Sequence, residues 1–190
     1  MALSADPAAR RYTYADLETF PDDHLRREII DGELIVTPSP VIRHQIASAN
    51  LHYRLMTHAE QAGGLALAAP MDVFLSSDNV VEPDLLFIRP DRLESVGEKS
   101  VQVVPDLVVE ISSPSTRRLE LVRKRDLYQR FGVPEYWYVD LEAERVEIYL
   151  LEEGAYAAPE IRYPGQALES TQLAGFAMPA QEALGIEPAP

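Results

Sequence analysis

The sequence predicts an α/β or α+β fold built as one domain over residues 1–190, with its core in residues 14–150. Three observations predict it. A tight-turn hairpin signal, a long helical stretch and two short runs apolar on both faces succeed one another, followed by a second helix and a second hairpin. No Gly-rich phosphate loop interrupts that order. The composition, 46% hydrophobic and 25% charged, belongs to a chain that folds around one continuous core.

The elements can be justified in order. Thr13 precedes the short periodic run Tyr14-Ala15-Asp16-Leu17-Glu18 and predicts a capped helical turn. Residues 28–36 read as two strands joined by Asp31-Gly32, the dipeptide that suits a two-residue hairpin. After Pro38 and Pro40, Ile46, Ala49, Tyr53 and Met56 recur at helical spacing, and Gly63-Gly64 ends that helix. Residues 65–69 and 71–75 read as strands, followed by a polar turn at Ser76-Ser77-Asp78-Asn79. Pro83-Asp84-Leu85-Leu86-Phe87-Ile88 and Pro105-Asp106-Leu107-Val108-Val109-Glu110-Ile111 are apolar on both faces, as strands covered on both sides are. The polar stretch 89–100 between them is a loop or short helix.

Ser113-Pro114 suits a helix start, and that helix would run to Phe131, stopped by Gly132 with Pro134 beyond it. Residues 133–140 and 145–151 form the closing hairpin, with Tyr136, Trp137 and Tyr138 in its first strand. Beyond Gly154, prolines and scattered apolar residues predict an irregular C-terminal tail.

Charge and composition exclude several classes. The net charge of −14 argues against a protein that coats nucleic acid or an anionic membrane non-specifically. The absence of cysteine removes disulfides, thiolate nucleophiles and Cys-ligated zinc. Residues 1–11 contain no apolar signal core, and the longest apolar tract, 65–75, falls short of the ~20 residues of a spanning helix. A soluble cytoplasmic protein with no membrane partner is expected. Locally the balance reverses: in residues 117–130, Arg117, Arg118, Arg123, Lys124, Arg125 and Arg130 outweigh Glu120 and Asp126 by four charges. Arg117, Arg118, Arg123 and Arg125 are candidate phosphate contacts beside a solvated-face alternative.

Glu110 is the most informative position, because it stands inside a run that should be buried, where a lone carboxylate is costly. Asp84 poses the same problem at the mouth of an equally apolar strand. Lys124 is one of two lysines, with Lys99, and at 100° per residue it falls among Leu127, Tyr128 and Phe131 on the apolar stripe of its helix. Two carboxylates and a lysine suit phosphodiester hydrolysis: the acids hold Mg²⁺ through hard oxygen ligation, and the lysine stabilises developing charge or orients water. Asp106 lies four residues from Glu110 on one strand, roughly 13 Å away at ~3.3 Å per residue, too far to share an ion. Asp84, on a separate strand, is the better partner. A buried structural ion pair is the bland alternative for Glu110 and Lys124.

The stretches Arg27-Glu28-Ile29-Ile30-Asp31-Gly32-Glu33-Leu34, Pro38-Ser39-Pro40 with His44-Gln45, and Glu82-Pro83-Asp84 carry a resemblance. It continues through Pro105-Asp106-Leu107-Val108-Val109-Glu110-Ile111-Ser112-Ser113-Pro114-Ser115-Thr116, Lys124, Tyr128 and Gly132-Val133-Pro134-Glu135-Tyr136-Trp137. With these, residues 14–150 resemble the Uma-two-type restriction endonuclease family within the PD-(D/E)XK nuclease superfamily. The resemblance implies a restriction-endonuclease-like core, a central mixed β-sheet flanked by helices, and Mg²⁺-dependent (or Mn²⁺-dependent) cleavage of nucleic acid, most naturally DNA. It implies that Asp84 and Glu110 are the metal-binding acids. Ser112 fills the place where the superfamily pattern has lysine, and Lys124 looks like its replacement from the next helix. Glu33 resembles an accessory acid, and His44 falls in a family motif. A homodimer is expected for an enzyme that cuts both strands. Two rival classes are an inactive nucleic-acid-binding or regulatory module on a nuclease-derived fold, and a structural protein that oligomerises through its aromatic hairpin.

Overall fold

The computed structural model describes residues 10–21, 23, 25–112 and 119–186. The first hairpin forms as β1 (Arg26–Ile30) and β2 (Glu33–Thr37), with Ile30 opposite Glu33. Asp31 and Gly32 make its turn at φ 52° and 76°, the two positive values such a turn requires. Asn79 was expected in a polar turn but opens a further strand, β5 (Asn79–Val81), which pairs with β4 (Val73–Ser76). The Asn79 side chain accepts a hydrogen bond from the Asp31 N–H at 2.9 Å, tying the two hairpins together. These four strands form a small sheet in the order β2-β1-β5-β4. The capped turn at Thr13 is α1 (Tyr14–Leu17).

The larger sheet contains β3 (Leu65–Ala68), β6 (Leu85–Ile88), β7 (Leu107–Ile111), β8 (Glu135–Asp140), β9 (Arg145–Glu152) and β10 (Ala155–Tyr156). Its order is β10-β9-β8-β7-β6-β3, and β11 (Glu160–Arg162) also pairs with β9. β7 and β8 run parallel and the remaining pairs antiparallel, so the sheet is mixed. The parallel pair needs a crossover, which carries a π-helical turn (Leu119–Lys124) running into α3 (Arg125–Phe131). The predicted start of that helix at Ser113-Pro114 lies outside the described residues. α3 packs Leu127 and Tyr128 on one face of the sheet, and α2 (Ile42–Ala62) packs Ala47, Leu51 and Leu55 on the other. Helices therefore flank both faces, as the doubly apolar strands require.

Two expectations change. The stripe Ile46, Ala49, Tyr53 and Met56 that signals α2 faces outward, and His44, Ala47, Leu51 and Leu55 face the sheet. One helix carries two apolar stripes, and periodicity alone does not say which is buried. The tail beyond Gly154 is also more regular than its prolines suggest. It forms β12 (Ala167–Glu169), β13 (Ala177–Pro179) and α4 (Ala180–Ala183), and buries Leu168, Leu173, Phe176 and Met178 in the α2-side core. Buried Glu135 anchors this segment: Oε1 accepts from Trp137 Nε1 at 2.6 Å, and Oε2 from Thr171 N at 2.9 Å and Thr171 Oγ1 at 2.7 Å. Tyr136, Trp137 and Tyr138 are all buried, so these three aromatics of the hairpin belong to the core. Among the described residues no helix is long and apolar enough to cross a membrane.

Candidate active site

The ladder between β6 and β7 sets Leu85 opposite Val109 and Phe87 opposite Leu107. Continued by one residue, that register puts Asp84 opposite Glu110, and facing residues of an antiparallel pair share one side of the sheet. The separate-strand pairing of these two acids thus follows from strand register. The Asp84 Oδ2 accepts the Ile111 N–H at 2.8 Å and lies 3.1 Å from His44 Nε2. A carboxylate only accepts, so Nε2 carries the proton in that contact. Burial pushes the Asp84 carboxyl up, but the His44 hydrogen bond and the nearby Arg26 outweigh it and hold it down at about 2.

Glu110 is fully buried on the α3 side of β7. Its Oε1 accepts from Lys124 Nζ at 2.9 Å and from Tyr128 Oη at 2.6 Å. Lys124, at the end of the π-helical turn, and Tyr128 in α3 are four residues apart, so the continuous helical stretch presents both to the same carboxylate. Lys124 Nζ also lies 2.7 Å from Glu28 Oε1, and the Glu82 N–H donates to that same oxygen at 2.8 Å. Lys124 is therefore a buried cation between two carboxylates, as its place on the apolar stripe predicts. Burial, with Asp84 and Glu28 nearby, pushes Glu110 up to about 7 against the pull of Lys124. Burial likewise raises Glu82 to about 7.

Arg26 sits in the middle of these acids. Its guanidinium is 2.9 Å from Asp84, 3.8 Å from Glu82, and 4.0 Å from both Glu28 and Glu110. Burial would lower the affinity of Arg26 for its proton, but Glu28, Asp84 and Glu110 reverse that and raise it. Arg26, His44, Glu82 and Asp84 line an open cleft of about 450 Å³, whereas Glu110 and Lys124 do not reach its wall. Arg26 stands between the cleft and the buried Glu110–Lys124 pair.

The structure thus brings together Asp84, Glu110, Lys124 and His44 of the predicted residues. It does not bring in Glu33, which is exposed and pairs with Arg123 at 3.0 Å, because β2 is the outer strand of the small sheet. Arg123 is committed to that pair and Arg125 to Asp126 at 3.0 Å, so a phosphate would have to displace a carboxylate from each. Arg117 and Arg118 lie outside the described residues. Asp106 is buried at a strand start, accepting from the Arg89 N–H and the Arg92 guanidinium. Sequence reasoning missed Arg26, Glu28, Glu82 and Tyr128. Alternation along β1 was the available signal for the first two, since residues 26, 28 and 30 share one side of the strand and Ile30 is buried.

The donor set suits a hard divalent cation, for which carboxylate oxygens are the natural ligands. Among the described residues, Glu28 Oε2 and Glu110 Oε2 are buried without a hydrogen-bond partner, as are Nε and Nη2 of Arg26. Such groups cost free energy until something binds them. With all four acids ionised, Glu28, Glu82, Asp84 and Glu110 would outnumber Arg26 and Lys124 by two charges, the charge of one divalent ion, whose entry would release the protons that raised Glu82 and Glu110 hold. The residues fit such an ion if Arg26 gives way. No three His, Asp or Glu side chains among the described residues converge on one point, so water or substrate oxygens would complete the shell, as Mg²⁺ commonly allows.

A mixed sheet flanked by helices, with two acids at adjacent strand ends and a lysine against one of them, defines a restriction-endonuclease-like fold. Residues 12–181 match the profile of the Uma2 family, described as "Putative restriction endonuclease", and the chain belongs to that family. Among solved structures, it is similar to the crystal structure of a "putative nuclease belonging to DUF820" from Anabaena variabilis ATCC 29413. The TM-score is 0.75 at 16% identity, over 90% of this chain and 97% of that one. No curated protein matches the chain.

Proposed function

We propose that this chain is a divalent-metal-dependent endonuclease that hydrolyses phosphodiester bonds, with DNA as its substrate in the cytoplasm. Membership of a restriction endonuclease family supports nuclease chemistry, and the opposed Asp84 and Glu110 carry the assignment of the site. When bound, Mg²⁺ or Mn²⁺ supplies Lewis acidity toward a phosphoryl oxygen and lowers the pKa of water. Asp84 and Glu110 would hold the ion, Asp84 kept ionised by His44 and Arg26, and Glu110 offering its unpartnered Oε2. Lys124 would keep positive charge beside Glu110 and favour its ionised form. Arg26 would leave the acids as the ion enters, freeing a guanidinium at the cleft for a phosphate oxygen. A two-fold dimer would let two such sites address opposite strands.

One observation favours a second reading. Arg26 and Lys124 already supply cations to the cluster, which suits an inactive nucleic-acid-binding module that never takes a metal. Asp84→Ala and Glu110→Ala decide between them. Under the nuclease reading, each abolishes Mg²⁺-dependent or Mn²⁺-dependent cleavage of DNA and the calorimetric Mn²⁺ signal while circular dichroism stays that of the parent. Wild-type protein that binds DNA with no Mn²⁺ binding and no cleavage would favour the second reading.

A further inference from the structure

The outward stripe of α2 is apolar along nearly the whole helix. Ile42 is 81% exposed, Ile46 43%, Tyr53 69% and Met56 39%, and Ala49 between them is exposed as well. The spacings from 42 to 46, 49, 53 and 56 are four, three, four and three, the alternation that places knobs along a helix–helix seam. At 100° per residue the stripe stays within about 40° either side of Ile42, while the buried Ala47, Leu51 and Leu55 lie on the opposite side. The fold therefore uses one apolar face of α2 and leaves a second, regularly spaced face uncovered among the described residues.

We propose that this face binds a second copy of the chain, with two α2 helices packed antiparallel about a two-fold axis at Ala49. Charge selects the occupant. The flanks of the stripe are uncharged at Gln45, Ser48, His52 and Thr57 (His taken as neutral), and the two flanking arginines are paired, Arg43 with Glu144 at 3.0 Å and Arg54 with Glu182 at 2.8 Å. In a chain of net charge −14, few surfaces can approach their own copy without repulsion. Polarity selects the orientation. The N-cap Val41 makes no side-chain cap, the first turn holds no acid and the last turn holds no base, so the helix's own residues compensate neither end of its dipole. Exposed Glu60, unfavourable near the C-terminal end of its own helix, would face the free N–H groups at the partner's N-terminal end. Position 49 is midway between 42 and 56, so the axis would oppose the two small Ala49 side chains and set Ile42 against Met56 and Ile46 near Tyr53.

Area is sufficient. Together with Val41, itself 50% exposed, the stripe presents roughly 500 Å² of apolar surface per copy, against the ~800 Å² per partner of a standard interface, and its polar flanks supply the remainder. Gln45 and Ser48 line the cleft as well as flanking the stripe, so pairing would bring the two clefts to either side of the axis. The inference deepens the dimer expected of a nuclease, and its test reads mass rather than cleavage, so the two fail separately.

Sedimentation equilibrium of the full chain from micromolar to hundreds of micromolar should give a dimer. Tyr53→Glu should raise its dissociation constant at least about a hundredfold, as loss of a central tyrosine anchor does, with unchanged circular dichroism. The chain has no cysteine, so Ala49→Cys should give a disulfide-linked dimer on mild oxidation, whereas the exposed loop variant Glu98→Cys should not. A dimer that survives both Tyr53→Glu and Ile46→Glu and leaves Ala49→Cys unlinked would overturn the proposal in favour of another interface. A wild-type monomer throughout would also overturn it. Rapid maleimide labelling of Ala49→Cys would then show a bare face, and slow labelling one covered by the chain's own terminus.

Discussion

Replacing Arg26 by Met removes a guanidinium from the acidic cluster while keeping an aliphatic stem against the cleft wall. In the parent, that group forms a 2.9 Å ion pair with Asp84, its side chain 25% exposed and that of Asp84 3%. Breaking a buried pair by removing one partner costs ~3–5 kcal/mol, and partial exposure of Arg26 places the cost near the lower bound, about 3 kcal/mol. For a chain of this size each kcal/mol moves the melting temperature by ~2–4 °C, so Arg26→Met should melt about 6–12 °C lower in the presence of a chelator. The same loss should open the cluster to metal. Mn²⁺ at about 100 times its dissociation constant stabilises a folded state by ~2.7 kcal/mol, enough to return most of the deficit. The wild type must first expel a guanidinium, and should gain less at equal Mn²⁺. The assay is thermal melting by circular dichroism, with and without Mn²⁺, on wild type, Arg26→Met and Arg26→Met/Asp84→Ala. Equal Mn²⁺ stabilisation of wild type and Arg26→Met would refute the reasoning, because Arg26 would then not compete with the ion. Undiminished stability in the chelated variant would refute it equally, since the carboxylates would not need the charge.

Two other predictions follow from the same buried acids and from the C-terminal clamp. Glu82 and Glu110 stand at about 7, above their ordinary value of 4.5, so the folded chain holds those protons more tightly than the unfolded one. Their contribution to stability is present below about pH 4.5 and is lost as pH rises through about 7; denaturant melts across that window should show stability falling, while Mn²⁺ affinity rises and calorimetry records buffer-dependent proton release. Separately, Glu135→Ala removes the acceptor shared by Trp137, Ser170 and Thr171, and should cost about 3 kcal/mol by leaving buried donors unpaired. Hydrogen exchange should then open residues 167–184 before the central sheet; uniform loss of protection would show that the clamp has no local role.

Much of the site was legible in the chain itself. A charged residue within Leu107-Val108-Val109-Glu110-Ile111 has to be neutralised wherever the strand lies, and Lys124 lies on an apolar stripe at 100° per residue, so composition and period exposed both. The Asp31-Gly32 turn and the doubly apolar strands were equally plain, because a two-residue loop and burial on both faces are local statements. Alternation along β1 could set Arg26 and Glu28 on the side of buried Ile30, but nothing local marked them, or Glu82, as partners of Asp84 and Glu110. All three sit in or beside short strands of ordinary polar composition, and they matter only because the small sheet folds against the ends of β6 and β7.

The sequence by itself determined which residues were chemically anomalous: Glu110 and Asp84 at apolar strands, and Lys124 on an apolar stripe. Tertiary structure alone decided what surrounds them. The β6–β7 register opposed Asp84 to Glu110, and the meeting of two sheets inserted Arg26 among four carboxylates. It also decided that α2 buries Ala47, Leu51 and Leu55 and exposes its larger stripe. The physical reason is one of range: hydrophobic period and burial cost act along a segment, whereas strand register, charge compensation and the choice between two apolar faces are settled by residues far apart in the chain.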